Sequence, residues 1–252
     1  MTMIEEKQNF IEKEINGLGF QITPVQVRQF YDYYEILIKW NEVMNLTAIT
    51  DFEDVVRKHF VDSLSIIQVK KMADVDNLID VGTGAGFPGL PLKIMFPDLK
   101  VTLLDSLRKR IDFLNQAVER LGLEGVESIH GRAEDYAKPE KKREQYDLCV
   151  SRAVANLSTL SEYCLPYVRI GGEFISYKSR EVEQELRDAR SAVFLLGGKI
   201  RTCEEFELPG TDLHRSLVCI RKVSGCPKKY PRKPGTAAKH PLSNLNDRKD
   251  TD

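Results

Sequence analysis

The sequence predicts an α/β fold, in which a mostly parallel seven-stranded sheet carries helices on both faces and follows an N-terminal helical segment. Three observations support this prediction. A glycine-dense turn at 82–89 joins an apolar run to a possible helix start. From Asn77 onward, short apolar runs alternate with helical patterns, as in folds built from parallel strands. Residues 1–70 instead show helical spacing, with no glycine-rich turn.

The chain has 252 residues, which is enough to bury one large core. We expect a helical cap at 1–70, an α/β domain at 71–223 and a basic, proline-rich tail at 224–252. Lys and Arg total 37 against 38 Asp and Glu, so the net charge indicates no class of partner.

The cap is expected to contain three helices. Apolar residues repeat at helical spacing from Phe10 to Leu18, before Gly19 ends the run. Thr23-Pro24 is typical of an N-cap followed by proline in the first helical position. A third helix begins at Asp51 or Asp54 and contains His59, for which a structural role is favoured over a ligand-binding one.

The glycine-dense turn follows a short buried strand at 78–81. Glycines are needed in such a turn because the backbone adopts positive φ and a ligand must approach it closely. Pro88 suits the first turn of the next helix, where its missing N–H costs nothing. Residues 84–89 also fit G-x-G-x-x-G, so the segment resembles the start of a nucleotide-binding βα unit.

Two acidic residues indicate which nucleotide cofactor this turn would hold. Asp80 lies two residues before Gly82, where a carboxylate would repel a pyrophosphate but favour a cationic amino-acid group. This favours S-adenosylmethionine over NAD, although Asp80 could instead accept backbone hydrogen bonds at the turn. Asp105 ends the next strand, at the distance typical of a ribose-binding acid. It could also cap the helix that begins near Leu107.

The remaining elements of the α/β domain follow from the same alternation. Helices are expected at 107–121, 157–168 and 181–192. Strands are expected at 78–81, 100–105, 126–130, 146–150, 173–178, 199–207 and 214–221, with the last two paired as an antiparallel hairpin. Gly171-Gly172 is expected to turn the chain into the fifth strand.

Composition argues against several classes of protein. No run approaches the roughly 20 apolar residues of a membrane span, and the N-terminus has no apolar signal region. The five cysteines are scattered, odd in number and lack a C-x-x-C pair. We therefore expect a cytoplasmic protein with no disulfide scaffold, no metal site and no membrane contact.

The segment from Arg221 to Pro241 contains no acidic residue but carries four prolines and Tyr230. It contains seven basic residues, namely Arg221, Lys222, Lys228, Lys229, Arg232, Lys233 and Lys239. Such a segment is expected to be extended, with little apolar area to bury. Its composition suits contacts with a nucleic-acid backbone, and we assign RNA binding to Lys228, Lys229, Arg232 and Lys233. A solvated tail without a partner is the alternative.

From about residue 30 to 242, the chain resembles the small-subunit ribosomal RNA methyltransferase G family, also called glucose-inhibited division protein B. The resemblance is carried by a set of motifs in a fixed order. These are Trp40-Asn41, Asn45-Leu46-Thr47, residues 59–63, residues 80–89, Asp105-Ser106, Arg132-Ala133-Glu134, residues 151–154 and residues 228–236.

This resemblance implies a Rossmann-like class I S-adenosylmethionine-dependent methyltransferase fold behind a helical cap. It implies methyl transfer to N7 of a guanine in 16S ribosomal RNA near the decoding centre, with that RNA or the small ribosomal subunit as partner. The implied cofactor contacts are Gly82, Phe87, Ala133, Glu134 and Arg152, to which we add Asp105 from its position. Ala133 and Glu134 would lie by the adenine through backbone contacts. For Arg152, a phosphate contact or a surface ion pair is the alternative.

The chemistry of guanine N7 agrees with the absence of certain motifs. N7 carries a lone pair and no proton, so its methylation needs placement in line with the methyl group and no general base. After the fourth strand, there is no Asn/Asp-Pro-Pro-Tyr/Phe motif of amino-group methyltransferases, and the chain has no Pro-Cys pair. We therefore predict no catalytic acid–base residue. The remaining alternatives are an NAD-dependent oxidoreductase, a methyltransferase for another RNA, a protein or a small molecule, and a non-catalytic RNA-binding module.

Overall fold

A seven-stranded sheet forms the centre of the computed structural model, which describes residues 2–152, 155–179 and 182–242. The strand order is β3-β2-β1-β4-β5-β7-β6. The strands are β1 (Asn77–Val81), β2 (Lys100–Asp105), β3 (Val126–His130), β4 (Tyr146–Arg152), β5 (Val168–Ser179), β6 (Gly198–Glu207) and β7 (His214–Lys222). Strands β1 to β5 pair in parallel, whereas β7 is antiparallel to both β5 and β6. The predicted mostly parallel sheet with a final hairpin is confirmed.

Helices cover both faces of this sheet. The α-helices are α1 (Met3–Asn16), α2 (Pro24–Met44), α3 (Phe52–Val55), α4 (Asp62–Leu64), α5 (Gly89–Met95), α6 (Arg108–Leu121), α7 (Ala133–Tyr136), α8 (Leu157–Cys164), α9 (Glu183–Leu195) and α10 (Thr236–Lys239). Leu78 packs in the core that includes α1, α2, α5 and α6, whereas Ile79 packs in the core with α8 and α9. Consecutive residues of β1 thus bury opposite faces, as the pleat requires. Among the described residues, no helix is long and apolar enough to cross a membrane.

The helices that precede the sheet begin where the sequence predicts. Thr23 caps α2 by accepting the N–H of Gln26, whose side chain bonds back to the N–H of Thr23. Asp51 caps α3, and the helical path then continues through a π-helical turn at Val56–Val61 into α4. The third predicted helix therefore exists, but it is irregular and continues in a 3₁₀ turn at Ser65–Gln68.

The start of β5 differs from the prediction. Helix α8 ends at Cys164, and a 3₁₀ turn at Leu165–Tyr167 leads directly into the strand. Gly171-Gly172 lies inside β5, where the register with β4 shifts, so this pair marks a bulge and not the predicted turn. A Cβ on Gly172 would lie 2.8 Å from the carbonyl oxygen of Asp147 on β4, which explains the need for glycine there.

The prediction of an extended tail with little buried apolar area is also wrong. Four side chains between 226 and 242 are buried against the α/β domain, namely Cys226, Tyr230, Ala237 and Leu242. The segment also contains the short helix α10. We call residues 226–242 the strap. Burial of these four apolar residues was not predicted from the sequence because they are spaced irregularly among prolines and lysines.

Candidate functional site

A cavity of about 840 Å³ opens at the carboxyl ends of β1, β2 and β4. In this strand order, connections leave β1 towards β2 on one side and reach β4 on the other, which is where ligands bind in open α/β sheets. The six residues that the sequence assigned to a cofactor all line this cavity, namely Gly82, Phe87, Asp105, Ala133, Glu134 and Arg152. The fold therefore brings together segments that are distant in the sequence, and direct contact with a cofactor stays a prediction.

The glycine turn forms the floor of the cavity. The N–H of Gly82 donates to the carbonyl oxygen of Leu104 over 2.8 Å, which joins the turn to the end of β2. Gly84 has φ of +62°, and a Cβ there would meet nothing within 4 Å. Glycine at 84 thus serves the backbone conformation and leaves the peptide open to a ligand.

Asp80 lies beneath this turn and does not line the cavity. Its Oδ2 accepts the hydroxyl of Thr83 at 2.7 Å and the N–H of Gly89 at 2.9 Å. Burial raises the pKa of Asp80 to about 6. The two hydrogen bonds and the charge of Arg152 lower the pKa, but by less than burial raises it. The expectation that Asp80 holds a cationic group directly is therefore wrong. The alternative that it organises the turn is what the structure shows.

Asp105 supports the entry to α6 and also lines the cavity, where its role as a ribose-binding acid stays a prediction. Its Oδ1 accepts the N–H of Leu107 at 2.9 Å, which supports the start of α6. Its Oδ2 accepts the N–H of Gly84 at 3.0 Å and faces Arg110 at 3.2 Å. A carboxylate offers about four acceptor positions, so one remains for a hydroxyl group in the cavity.

Helix α7 forms a further wall of the cavity. The carbonyl oxygen of Ala133 accepts the hydroxyl of Tyr167 at 2.5 Å. The side chain of Glu134 is buried and accepts the N–H of Gly235, in the strap, at 2.9 Å. The resemblance implied only backbone contacts for these residues, and no feature of the sequence indicated the bond to the strap.

A buried ion-pair cluster lies on the cavity side opposite α7. Arg152 donates to Oδ2 of Asp62 at 2.9 Å, and its guanidinium lies 4.9 Å from the centre of the Phe87 ring. Arg215 donates to Oδ1 of the same carboxylate at 3.0 Å. Asp62 lies in one of the motifs that carry the resemblance, but the sequence indicated no role for it. Arg215 was not identified from the sequence. Arg152 thus forms an ion pair, but within the cavity wall and not on the surface as the alternative expected.

His59 is held as a neutral ring in this cluster. Burial, and then the charge of Arg152, lower the pKa of His59 to about 3. Nδ1 accepts from Arg152 over 3.2 Å, so the proton is on Nε2, which lies 2.9 Å from the hydroxyl of Thr47. The ring stacks on Phe87 with centres 4.6 Å apart. These contacts give His59 a structural role, although the residue also lines the cavity.

The four residues assigned to RNA separate into two groups. Lys228, Lys229 and Lys233 are exposed on the strap and do not line the cavity. Arg232 instead donates through Nη2 to Glu162 at 2.6 Å, and the Glu162 side chain is 1% exposed. Its charge is therefore already paired, which argues against the predicted RNA contact at this position.

Comparisons with known proteins agree with one another. A family model described as "rRNA small subunit methyltransferase G" matches residues 26–216. A relative from Alkaliphilus metalliredigens is 50% identical over 237 residues, covering 94% of this chain and 99% of the relative. One from Lachnoclostridium phytofermentans is 50% identical over 239 residues, covering 95% and 98%. Both relatives are named ribosomal RNA small subunit methyltransferase G.

Solved structures show a similar fold at low sequence identity. A chain of the complex between the Haloferax volcanii Trm112 methyltransferase activator and a methyltransferase aligns with a TM-score of 0.56 and 12% identity, covering 74% of this chain and 97% of that one. Protein Atu636 from Agrobacterium tumefaciens, described as a predicted O-methyltransferase, aligns with a TM-score of 0.50 and 16% identity, covering 66% and 81%. These two likenesses concern the fold alone.

The buried carboxyl of Asp80 yields a prediction about stability and pH. Its pKa is about 6 in the folded chain, above the usual value of 3.8, so the folded state binds the proton more tightly than the unfolded state does. This group therefore lowers the free energy of unfolding as the pH rises from about 4 to about 6. Asp80→Asn lacks this titration, so its stability relative to the parent should increase over that range, by at most about 3 kcal/mol.

Urea unfolding of both proteins at pH 4.5, 5.5 and 6.5 measures this difference. Asp74→Asn, which removes an exposed carboxyl, is the control for the loss of one charge. A stability difference between Asp80→Asn and the parent that does not change with pH would contradict the assignment.

Proposed function

The chain belongs to the rRNA small subunit methyltransferase G family, and from that premise we propose that it methylates N7 of a guanine in 16S ribosomal RNA with S-adenosylmethionine. Family membership makes the chain an rRNA methyltransferase. One observation of the site supports the proposal most directly. The six residues assigned to the cofactor, which come from four separate segments, line a single cavity at the carboxyl ends of the parallel strands.

The residues of this cavity fit S-adenosylmethionine. The turn at Gly82 and Gly84 offers an open backbone, and the Asp105 carboxylate has an acceptor position for a ribose hydroxyl. Carboxylates at both Asp80 and Asp105 disfavour a pyrophosphate near the turn. Ala133 and Glu134 would contact the adenine through their backbone. When bound, the cofactor supplies a methyl group on a positively charged sulfur.

The chain's own groups suit a reaction that removes no proton. His59 is neutral, and neither ring nitrogen is free to take a proton, since Nδ1 accepts from Arg152 and Nε2 carries the hydrogen. Asp62 accepts from Arg152 and Arg215. Guanine N7 presents a lone pair, so the work of the site is to place that atom in line with the methyl group. This arrangement supports the prediction that the reaction uses no general base.

The strap would provide the contact with the RNA backbone. Lys228, Lys229 and Lys233 project from a segment whose own backbone is bonded to the α/β domain. Cations on a fixed support lose less freedom on binding than cations on an unfolded tail. We assign RNA binding to these three lysines, and to Arg232 only the role of holding the strap.

Labelled methyl transfer tests the proposed reaction. Small ribosomal subunits and bare 16S ribosomal RNA are each incubated with the protein and methyl-labelled S-adenosylmethionine, and the modified base is mapped. We expect label in a guanine at which the RNA becomes cleavable after borohydride and aniline treatment, the chemical signature of N7 methylation. Label in a base or ribose without that cleavage would contradict N7 as the target.

Charge reversal on the strap tests the RNA contact. Lys228→Glu, Lys229→Glu and Lys233→Glu together should weaken RNA binding by orders of magnitude at low salt. The slope of log affinity against log salt should fall by about 0.7 to 0.9 for each phosphate that the variant no longer neutralises. Affinity for the cofactor should stay unchanged because these side chains lie outside the cavity.

A matched control makes the same change in net charge elsewhere. Lys13→Glu, Lys39→Glu and Lys71→Glu reverse three exposed lysines in the N-terminal segment, which packs on the sheet face opposite the strap. If the control weakens RNA binding as much as the strap variant, or if the salt slope of the strap variant is unchanged, the assignment is wrong.

A further inference from the structure

The strap is held by side chains that bond to its backbone. Arg143 donates to the carbonyl oxygen of Tyr230 at 2.7 Å, and also to that of Cys226. Glu144 accepts the N–H of Cys226 at 2.6 Å. These bonds, with the buried side chains of the strap, hold its docked position against the α/β domain.

Two buried carboxylates hold the centre of the strap. Glu162, on α8, accepts from Nε of Arg232 at 2.9 Å and from the backbone N–H of the same residue at 2.7 Å. Glu134, on α7, accepts the N–H of Gly235 at 2.9 Å. Gly235 has φ of +83° and is the residue immediately before α10. The segment that carries Lys233 therefore lies between these two carboxylates.

Glu134 belongs to both the strap contact and the cavity. It lines the cavity and is 6% exposed, so its bond to Gly235 is a charge-assisted bond in a largely desolvated place. On the other side, the hydroxyl of Tyr167 fixes the carbonyl oxygen of Ala133. The cavity wall at α7 is thus positioned from the sheet by Tyr167 and from the strap by Gly235.

We propose that Glu134 is a positioning residue that couples the strap to the cofactor site, so that RNA and cofactor each strengthen the binding of the other. The proposal rests on the proposed function, since it takes the strap as the RNA contact. RNA bound to Lys228, Lys229 and Lys233 restricts the strap, which keeps Gly235 on Glu134 and α7 in its cavity position. Coupling between two sites is reciprocal, so cofactor bound against α7 favours the docked strap and with it the binding of RNA.

Isothermal titration with S-adenosylhomocysteine measures the coupling without turnover. Affinity is determined for the protein alone and with a saturating amount of the RNA or subunit that accepts the methyl group. We expect the parent protein to bind S-adenosylhomocysteine about five- to tenfold more tightly with RNA, at the lower end of typical allosteric couplings. A ratio near one in the parent overturns the proposal.

Substitutions at Glu134 separate the hydrogen bond from the charge. Glu134→Gln keeps an oxygen acceptor for the N–H of Gly235 and should retain most of the ratio. Glu134→Ala removes the acceptor and should bring the ratio to within twofold of one, with RNA affinity in the absence of cofactor changed by less than about twofold. A ratio that persists in Glu134→Ala overturns the proposal, because a role in stability alone would leave the coupling intact.

Glu162→Gln tests the same coupling from the strap side if Glu134→Ala does not fold. Its side chain does not line the cavity, so the variant should bind S-adenosylhomocysteine alone with the parent's affinity but show a smaller ratio with RNA. An unchanged ratio overturns the proposal. Methyl transfer by the parent is assayed in parallel. Transfer without coupling removes this inference alone, whereas no transfer to RNA removes the proposed function as well.

Discussion

The two hydrogen bonds from Thr83 and Gly89 to the buried carboxylate of Asp80 are the constraint on which the site depends. They join the end of β1 to both sides of the glycine turn, so the turn cannot move independently of the sheet. Gly89 is tightly packed here, since a Cβ would lie 2.5 Å from Leu103 and 3.0 Å from Asp80. The carboxylate is costly to bury, as its raised pKa shows, and the hydrogen bonds offset part of that cost.

The N-terminal helices are positioned on this turn. The hydroxyl of Tyr33 on α2 donates to the carbonyl oxygen of Ala85, and the His59 ring stacks on Phe87. Asp62 then connects the helical segment to Arg152 on β4 and Arg215 on β7. Removing Asp62 would leave both arginines without their shared carboxylate, which costs on the order of 3 to 5 kcal/mol. The cavity is therefore rigid on the side of the helical segment, and on the other side it depends on α7 and the strap.

The sequence predicted what is encoded locally. Six of the seven strands begin and end within two residues of the expected positions. Apolar runs, glycines and acidic strand ends can each be recognised from a short stretch of sequence. The exception is β5, where Gly171-Gly172 marks a bulge. A bulge and a turn use the same residues, and only the register with β4 distinguishes them.

Contacts between residues that are distant along the chain could not be predicted from the sequence. Glu134 and Gly235 are 101 positions apart, and Glu162 and Arg232 are 70 apart, so no spacing indicates either pair. The chemistry of Asp80 and its closeness to the turn were predicted, but the direction of its side chain was not. A carboxylate at a strand end can face the ligand or support the turn, and the packing of α5 against β1 decides between them.

Calorimetric titration of the purified protein with S-adenosylmethionine, and separately with NAD, tests the central claim most directly. The claim is that the turn supported by Asp80 forms the floor of a site for a cationic methyl donor. It predicts saturable heat with a stoichiometry of one for S-adenosylmethionine and no binding of NAD. Saturable binding of NAD with no heat from S-adenosylmethionine would contradict it.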